Sequence, residues 1–247
     1  MAGHSKFKNI QHRKGAQDKK RAKIFTRLIK ELSVAARSST DPASNPRLRS
    51  ALAAARSANM PKDNIDRVLK KAEGGEGEAY EEIRYEGYGP GGVAFIVEAM
   101  TDNRNRTASE IRSYFSKFGG TLAETGSVSF MFDKVGQIIY PISVANTEAM
   151  FDTALEAGAD NLETDVDSYI LTTTPEDFNL VRENMERNYS APEEASLVWR
   201  PQNTILVEEA NASTLLKLYD SLDENDDVQN VFSNFEISDE TMAKLDG

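Results

Sequence analysis

The chain has 247 residues, 39% of them hydrophobic, which is enough for one or two domains with real cores. No apolar run approaches the ~20 residues a bilayer crossing needs, and the basic N-terminus lacks the apolar stretch of a secretory signal. Cysteine is absent, which excludes disulfides and thiolate metal sites and, with no export signal, predicts a cytoplasmic location.

The formal net charge of -11 is unevenly spread. Residues 1–75 hold 18 Lys and Arg against 6 Asp and Glu, whereas the remainder holds 11 against 34. A part of net charge +12 joined to a part of -23 predicts a polyanion-binding module on an acidic body. Residues 1–16 contain Lys6, Lys8, Arg13 and Lys14 but only one Phe and one Ile, so a mobile arm is expected there.

From Gln17 to about Arg37 the period becomes helical. Ile24, Phe25, Leu28, Ile29 and Leu32 form one stripe, and Lys19, Lys23, Arg27 and Lys30 form another on the opposite side. SSTDPASNP reads as a loop, Arg47–Ala58 as an Ala-rich helix, and NMPKDNIDRVLKKAEGG as a third helix. That third helix has Pro61 at its start and Gly74–Gly75 at its end. The first 77 residues are therefore expected to be a basic arm and a helical bundle, followed by the acidic linker GEGEAYEE.

GGVAFIVEAM then reads as a buried strand. Thr107 and Glu110 have capping-box spacing ahead of a helix that ends at Gly119–Gly120, and SVSFMF reads as another strand. Near the C-terminus TILVEEA, a helix over Ser213–Leu222 and VQNVFSNFEI repeat the order strand, helix, strand. Two such halves suggest a ferredoxin-like domain over 78–134 and 204–247. Between them lies β (GQIIYPI), α (Asn146–Ala157), β (SYILTTT), α (Glu176–Arg187), β (ASLVWR). This is a second, acidic α+β domain, 135–203, inserted into the first. The fold class expected is thus α+β and multidomain, a helical bundle plus two ferredoxin-like domains.

Both histidines, His4 and His12, sit in the arm, so the folded part has neither His nor Cys for nucleophilic or histidine acid–base catalysis. The acid runs Glu76–Glu82 and Asp223–Asp227 read as solvated charge, which weighs against a metal-dependent phosphodiesterase. Asp223, Asn225 and Asp227 resemble the start of an EF-hand, but Val228 replaces the turn glycine and Asn234 the bidentate acid. GYGPGG precedes a strand and does not open a helix, so a turn fits it better than a phosphate cradle. An Ala-Gly-His copper or nickel chelate at the start lacks supporting ligands. The basic amphipathic 17–37 helix could lie on a membrane, but its apolar stripe is better used in packing. No enzyme activity, cofactor or metal is expected.

Two basic constellations remain. The arm and first helix offer Lys6, Lys8, His12, Arg13, Lys14, Lys19, Lys20, Lys23, Arg27 and Lys30 to phosphates, with Phe7 to stack on an unpaired base. Arg104 and Arg106, with Arg112 further on, stand where a helix N-terminus already favours an anion. Their bland alternative is pairing with nearby acids such as Asp102.

The stretches MAGHSKFKNIQHRKGAQDKKRAKIFTRLIKEL, NMPKDNIDRVLKKA, YEGYGPGGVAFIVEAMTDNRNRTASEIR and FSKFGGTLAETGSVSFMF resemble the YebC family, which includes the mitochondrial translational activator of cytochrome oxidase. Phe7, Lys8 and Gln11 depart from the usual pattern, Phe7 standing where the family has Trp. The resemblance implies three domains and a non-enzymatic regulator of gene expression. Its bacterial members have been described as DNA-binding transcriptional regulators, whereas other members look like translation factors at the ribosome. It therefore implies DNA or ribosomal RNA as partner, held by the arm and first helix, with Arg104 and Arg106 as a second site. No membrane partner is expected; a protein partner could be met by the acidic domains.

Overall fold

A computed structural model describes residues 17–75 and 79–245, which contain both helices and antiparallel sheets. The chain forms two compact units, one of residues 17–127 and 209–231, the other of 128–208 and 232–245.

The first unit begins with three helices, α1 (Gln17–Ala36), α2 (Pro46–Ser57) and α3 (Lys62–Glu73). Asn45 sets the first joint. Its side chain accepts from Leu48 N–H at 3.0 Å, capping α2, and donates to Ala35 O and Ser39 O, both at 2.7 Å. Pro46 then occupies the first helical turn, where its missing N–H costs nothing. Leu32, Ala35, Leu48, Leu52, Ala55, Met60, Ile65 and Val68 are buried together, with Phe25, Leu28 and Ile29 half-buried around them.

The same unit contains a four-stranded sheet in the order β3 (Thr121–Ala123), β1 (Glu81–Tyr88), β2 (Ala94–Thr101) and β9 (Val228–Ser233). Helices α4 (Arg104–Lys117) and α7 (Glu209–Glu224) belong to it. Phe95 of β2 meets Phe115 of α4 edge-on at 5.8 Å, and Ile111, Leu215, Leu218 and Leu222 are buried completely.

Here the structure corrects several expectations. Glu81 and Glu82, taken as the end of a linker, open the inner strand β1, in which Ile83 and Tyr85 alternate with charge and Glu86 is buried. SVSFMF contains a single 3-10 turn, Ser129–Met131. Val128 and Phe132 are buried four residues apart while Phe130 is 66% exposed, which is a turn's spacing and not a strand's. TILVEEA supplies only β8 (Ile205–Leu206), parallel to β10 (Phe235–Glu236) in the second unit, so it is absent from the four-stranded sheet. VQNVFSNFEI is broken at Asn234 into β9 and β10. The first sheet therefore runs β-β-α-β-α-β, not as two matching β-α-β halves.

The second unit carries β4 (Phe132–Pro141), α5 (Thr147–Ala157), β5 (Asn161–Thr164), β6 (Ser168–Thr173), α6 (Phe178–Tyr189) and β7 (Glu194–Pro201). Its strands are ordered β5-β6-β4-β7, every pair antiparallel, which is a split β-α-β arrangement. Ile138, Tyr140, Met150, Ala154, Tyr169, Leu171, Val181 and Met185 make its core. A short helix, α8 (Asp239–Leu245), follows β10.

Gly136 of β4 allows α6 to approach that sheet. A Cβ there would run into Thr173 Oγ1 and lie 2.6 Å from Phe178 Cδ2. Gly136→Ala is therefore expected to destabilise the chain by about 1–3 kcal/mol, the usual cost of overpacking. A urea midpoint unchanged by this substitution would refute the close approach.

Candidate nucleic-acid interface

Helix α1 carries the basic stripe, but its cations do not all face solvent. Lys30 is only 6% exposed, and its Nζ donates to Asp227 Oδ1 at 2.8 Å, Asp226 O at 2.8 Å and Met100 O at 3.2 Å. Its ammonium also stands 5.4 Å from the centre of the Tyr80 ring. One turn earlier, Arg27 donates to Asp223 Oδ1 at 2.8 Å, Asp223 O at 2.9 Å and Val228 O at 3.0 Å. Lys23 lies 3.9 Å from Asp223. Burial and the neighbouring Arg27 push its ammonium from 10.5 down to about 8, against the pull of Asp223. The folded state therefore holds this proton less tightly than the unfolded chain, and the site's contribution to stability rises with pH between those values.

These contacts correct two expectations at once. Lys30, and largely Arg27, are turned onto the connection between α7 and β9 and are not free to meet phosphates. Asp223 and Asp227 are not a solvated run, because they receive those cations.

Asp227 is the centre of the arrangement. Besides Lys30, its carboxylate accepts from Arg106 Nη2 at 2.7 Å, Thr107 Oγ1 at 2.7 Å and Thr101 Oγ1 at 3.1 Å, all at Oδ2. Burial alone would raise its pKa, but the hydrogen bonds from Arg106, Lys30 and Thr107 prevail and hold the carboxyl well below the usual range. Arg106 also bridges to Asp102 at 2.9 Å, so the pairing alternative holds for this arginine. Arg104 and Arg112 are exposed.

Helix α4 begins a turn earlier than the Thr107–Glu110 spacing suggests. Asn103 is its cap, accepting from Arg106 N–H at 3.1 Å. Thr107 is buried against Asp227, and Glu110 accepts from Asn225 at 2.7 Å, so tertiary partners have taken both side chains of the expected box. Arg47, not singled out in the sequence, links the bundle to β1 through Glu31 at 2.7 Å and Glu82 at 2.6 Å.

Lys6, Phe7, Lys8, His12, Arg13 and Lys14 lie outside the described residues, and Lys19 and Lys20 fall on the first turn of α1. On the bundle, a groove not foreseen from the sequence lies between α1 and α3, lined by Ile29, Ser33, Asn64, Arg67, Val68 and Lys71. Its signal was present as Asn64, Arg67 and Lys71 on one helical face. Among the described residues no group of His, Cys, Asp and Glu is arranged to hold a metal, and no helix is long and apolar enough to cross a membrane.

Residues 5–75 match the model for the TACO1/YebC protein N-terminal domain, and residues 80–235 match that for the TACO1/YebC second and third domain. The chain belongs to the TACO1/YebC family. Among solved structures, this family member is similar to a conserved hypothetical protein from Aquifex aeolicus at 44% identity and a TM-score of 0.85. The match covers 93% of this chain and 96% of that one. In this TACO1/YebC chain the basic N-terminal part and the acidic part are joined chemically by the Lys30–Asp227 ion pair.

Asp227→Asn is expected to cost about 3–5 kcal/mol at neutral pH, because it leaves the Lys30 ammonium buried without its counter-charge. Since the folded carboxyl titrates below the unfolded value of about 3.9, its contribution is complete above that pH and is lost as pH falls further. Urea midpoints at neutral pH and near pH 3 check both points. Equal midpoints for the two proteins at neutral pH would remove Asp227 from its central place.

Proposed function

We propose that the chain is a non-enzymatic, nucleic-acid-binding regulator of gene expression. The observation that carries this is the segregation of charge, 18 basic against 6 acidic residues over 1–75 and 11 against 34 beyond. A polyanion meeting such a molecule is drawn to one part and repelled by the rest, so it binds in one orientation. Internal pairing uses Lys23, Arg27, Lys30 and Arg47, yet Arg56, Lys62, Arg67, Lys70 and Lys71 stay exposed on α2 and α3. The arm adds Lys6, Lys8, Arg13 and Lys14.

As a transcriptional regulator the protein would grip duplex DNA mainly through phosphates, since among the described residues no helix presents an evident set of base-reading side chains. A second reading, a translation factor on ribosomal RNA, draws support from the inward turn of Lys30 and Arg27. What remains is scattered cations on α2 and α3, two of them lining a groove, a pattern suited to folded RNA more than to one continuous duplex groove. The cytoplasm is the compartment proposed with either role.

If about six phosphates of duplex DNA are neutralised, log K falls against log salt with a slope near -5. A chain lacking residues 1–16 loses four of the cations, and its slope is expected to be shallower by about 3.6. An unchanged slope would take the arm out of the account. Ribosome co-sedimentation beside duplex gel shifts, at low and moderate salt, separates the two roles. Ribosome binding that outlasts DNA binding assigns translation, the reverse assigns transcription, and binding to neither overturns the proposal.

A further inference from the structure

The groove between α1 and α3 has a volume of about 280 Å³ and combines three kinds of surface. Ile29, Val68 and Ala72 form an apolar floor, Ser33 and Asn64 supply polar atoms, and Arg67 and Lys71 stand at the edge. Ser33 already donates its hydroxyl proton to Ile29 O at 2.8 Å, so its oxygen is left as an acceptor. The Asn64 amide can both donate and accept, which is what the edge of a nucleobase requires. Arg67 and Lys71 are four residues apart on one face of α3, both are exposed, and among the described residues neither takes part in an ion pair.

We propose that this groove receives one unpaired nucleotide, its base against Ile29, Val68 and Ala72 and its flanking phosphates on Arg67 and Lys71. The inference rests on the nucleic-acid function proposed above and names where a base, as distinct from the backbone, is held. Size selects this occupant. The volume lies just under the range of about 300–1,000 Å³ that holds drug-sized ligands, so a single ring system fits. A paired base cannot enter, because its faces are covered by its neighbours in the stack. An acidic peptide helix would satisfy the two cations, but it anchors through apolar side chains spread over several turns. Three floor residues do not provide that length. The base's flat faces need only apolar contact and tolerate any sequence, whereas the polar edge groups add preference.

The test uses the full chain and four labelled probes, short RNA and DNA duplexes with and without a single unpaired nucleotide, measured by fluorescence anisotropy. The bulged probes are expected to bind about tenfold more tightly than the perfect ones. In Arg67→Ala/Lys71→Ala this advantage shrinks, and the salt slope falls by about 2. Ser33→Phe, which fills the groove and leaves both cations in place, also loses the advantage; circular dichroism establishes that each variant is folded.

Equal affinity for bulged and perfect probes overturns the groove while nucleic-acid binding stands. An advantage that survives both variants overturns it too, by placing the unpaired nucleotide elsewhere. Displacement of the bulged probes by a polyglutamate peptide, but not by excess perfect duplex, assigns the groove to an acidic protein segment instead. Failure to bind any probe overturns the function proposed above, and this inference with it. An advantage confined to RNA or to DNA identifies which strand supplies the nucleotide.

Discussion

One buried carboxylate organises the first unit. Asp227 is 5% exposed and carries charge away from water, a state that costs several kcal/mol unless donors surround it. Lys30 from α1, Thr101 from the end of β2, and Arg106 and Thr107 from the start of α4 all supply donors. Three elements must therefore arrive at the turn that holds Asp227, since withdrawal of any one leaves part of the charge uncompensated. The sheet order depends on this as well, because Met100 N–H reaches the backbone oxygen of the same residue at 2.8 Å.

The arrangement divides the basic residues into two populations. Those of α1 nearest the α7–β9 connection compensate acids of the same molecule, and Lys23 is buried enough for its ammonium to lose protons near pH 8. Those on the outer faces of α2 and α3 meet solvent. The second population, like the exposed Arg21, Arg104 and Arg112, is available to an external polyanion. A net charge counted along the chain overstates the available surface, because Coulombic attraction to a ligand is already spent where a carboxylate stands within 3 Å.

Local pattern carried much of the architecture. Helices α1, α2, α3, α5 and α6 lie where the helical pattern and, at α3, the Pro and Gly signals put them, because each buries one apolar stripe on its own neighbours. Beta structure was less legible in the local pattern. The strand β1 hides among glutamates, since Glu86 is buried in the sheet and breaks the expected alternation of polar outside and apolar inside. Phe130 misleads in the opposite direction, an exposed aromatic in what looks like a strand. Thr107 and Glu110 have the spacing of a capping box but bond to Asp227 and Asn225, partners more than a hundred residues away.

By itself the sequence determined the composition of the two charge populations, the absence of His and Cys from 17–245, the positions of most helices and the family to which the chain belongs. These are properties of short stretches, since period, cap and motif all act within a few residues. Tertiary structure alone decided which cations are available. Arg27 and Lys30 meet Asp223 and Asp227 across nearly two hundred positions, and only closure of the chain brings those charges within hydrogen-bonding distance. Whether a lysine serves a ligand or an internal carboxylate depends on that distance and on the water excluded around it, and neither is written in local order.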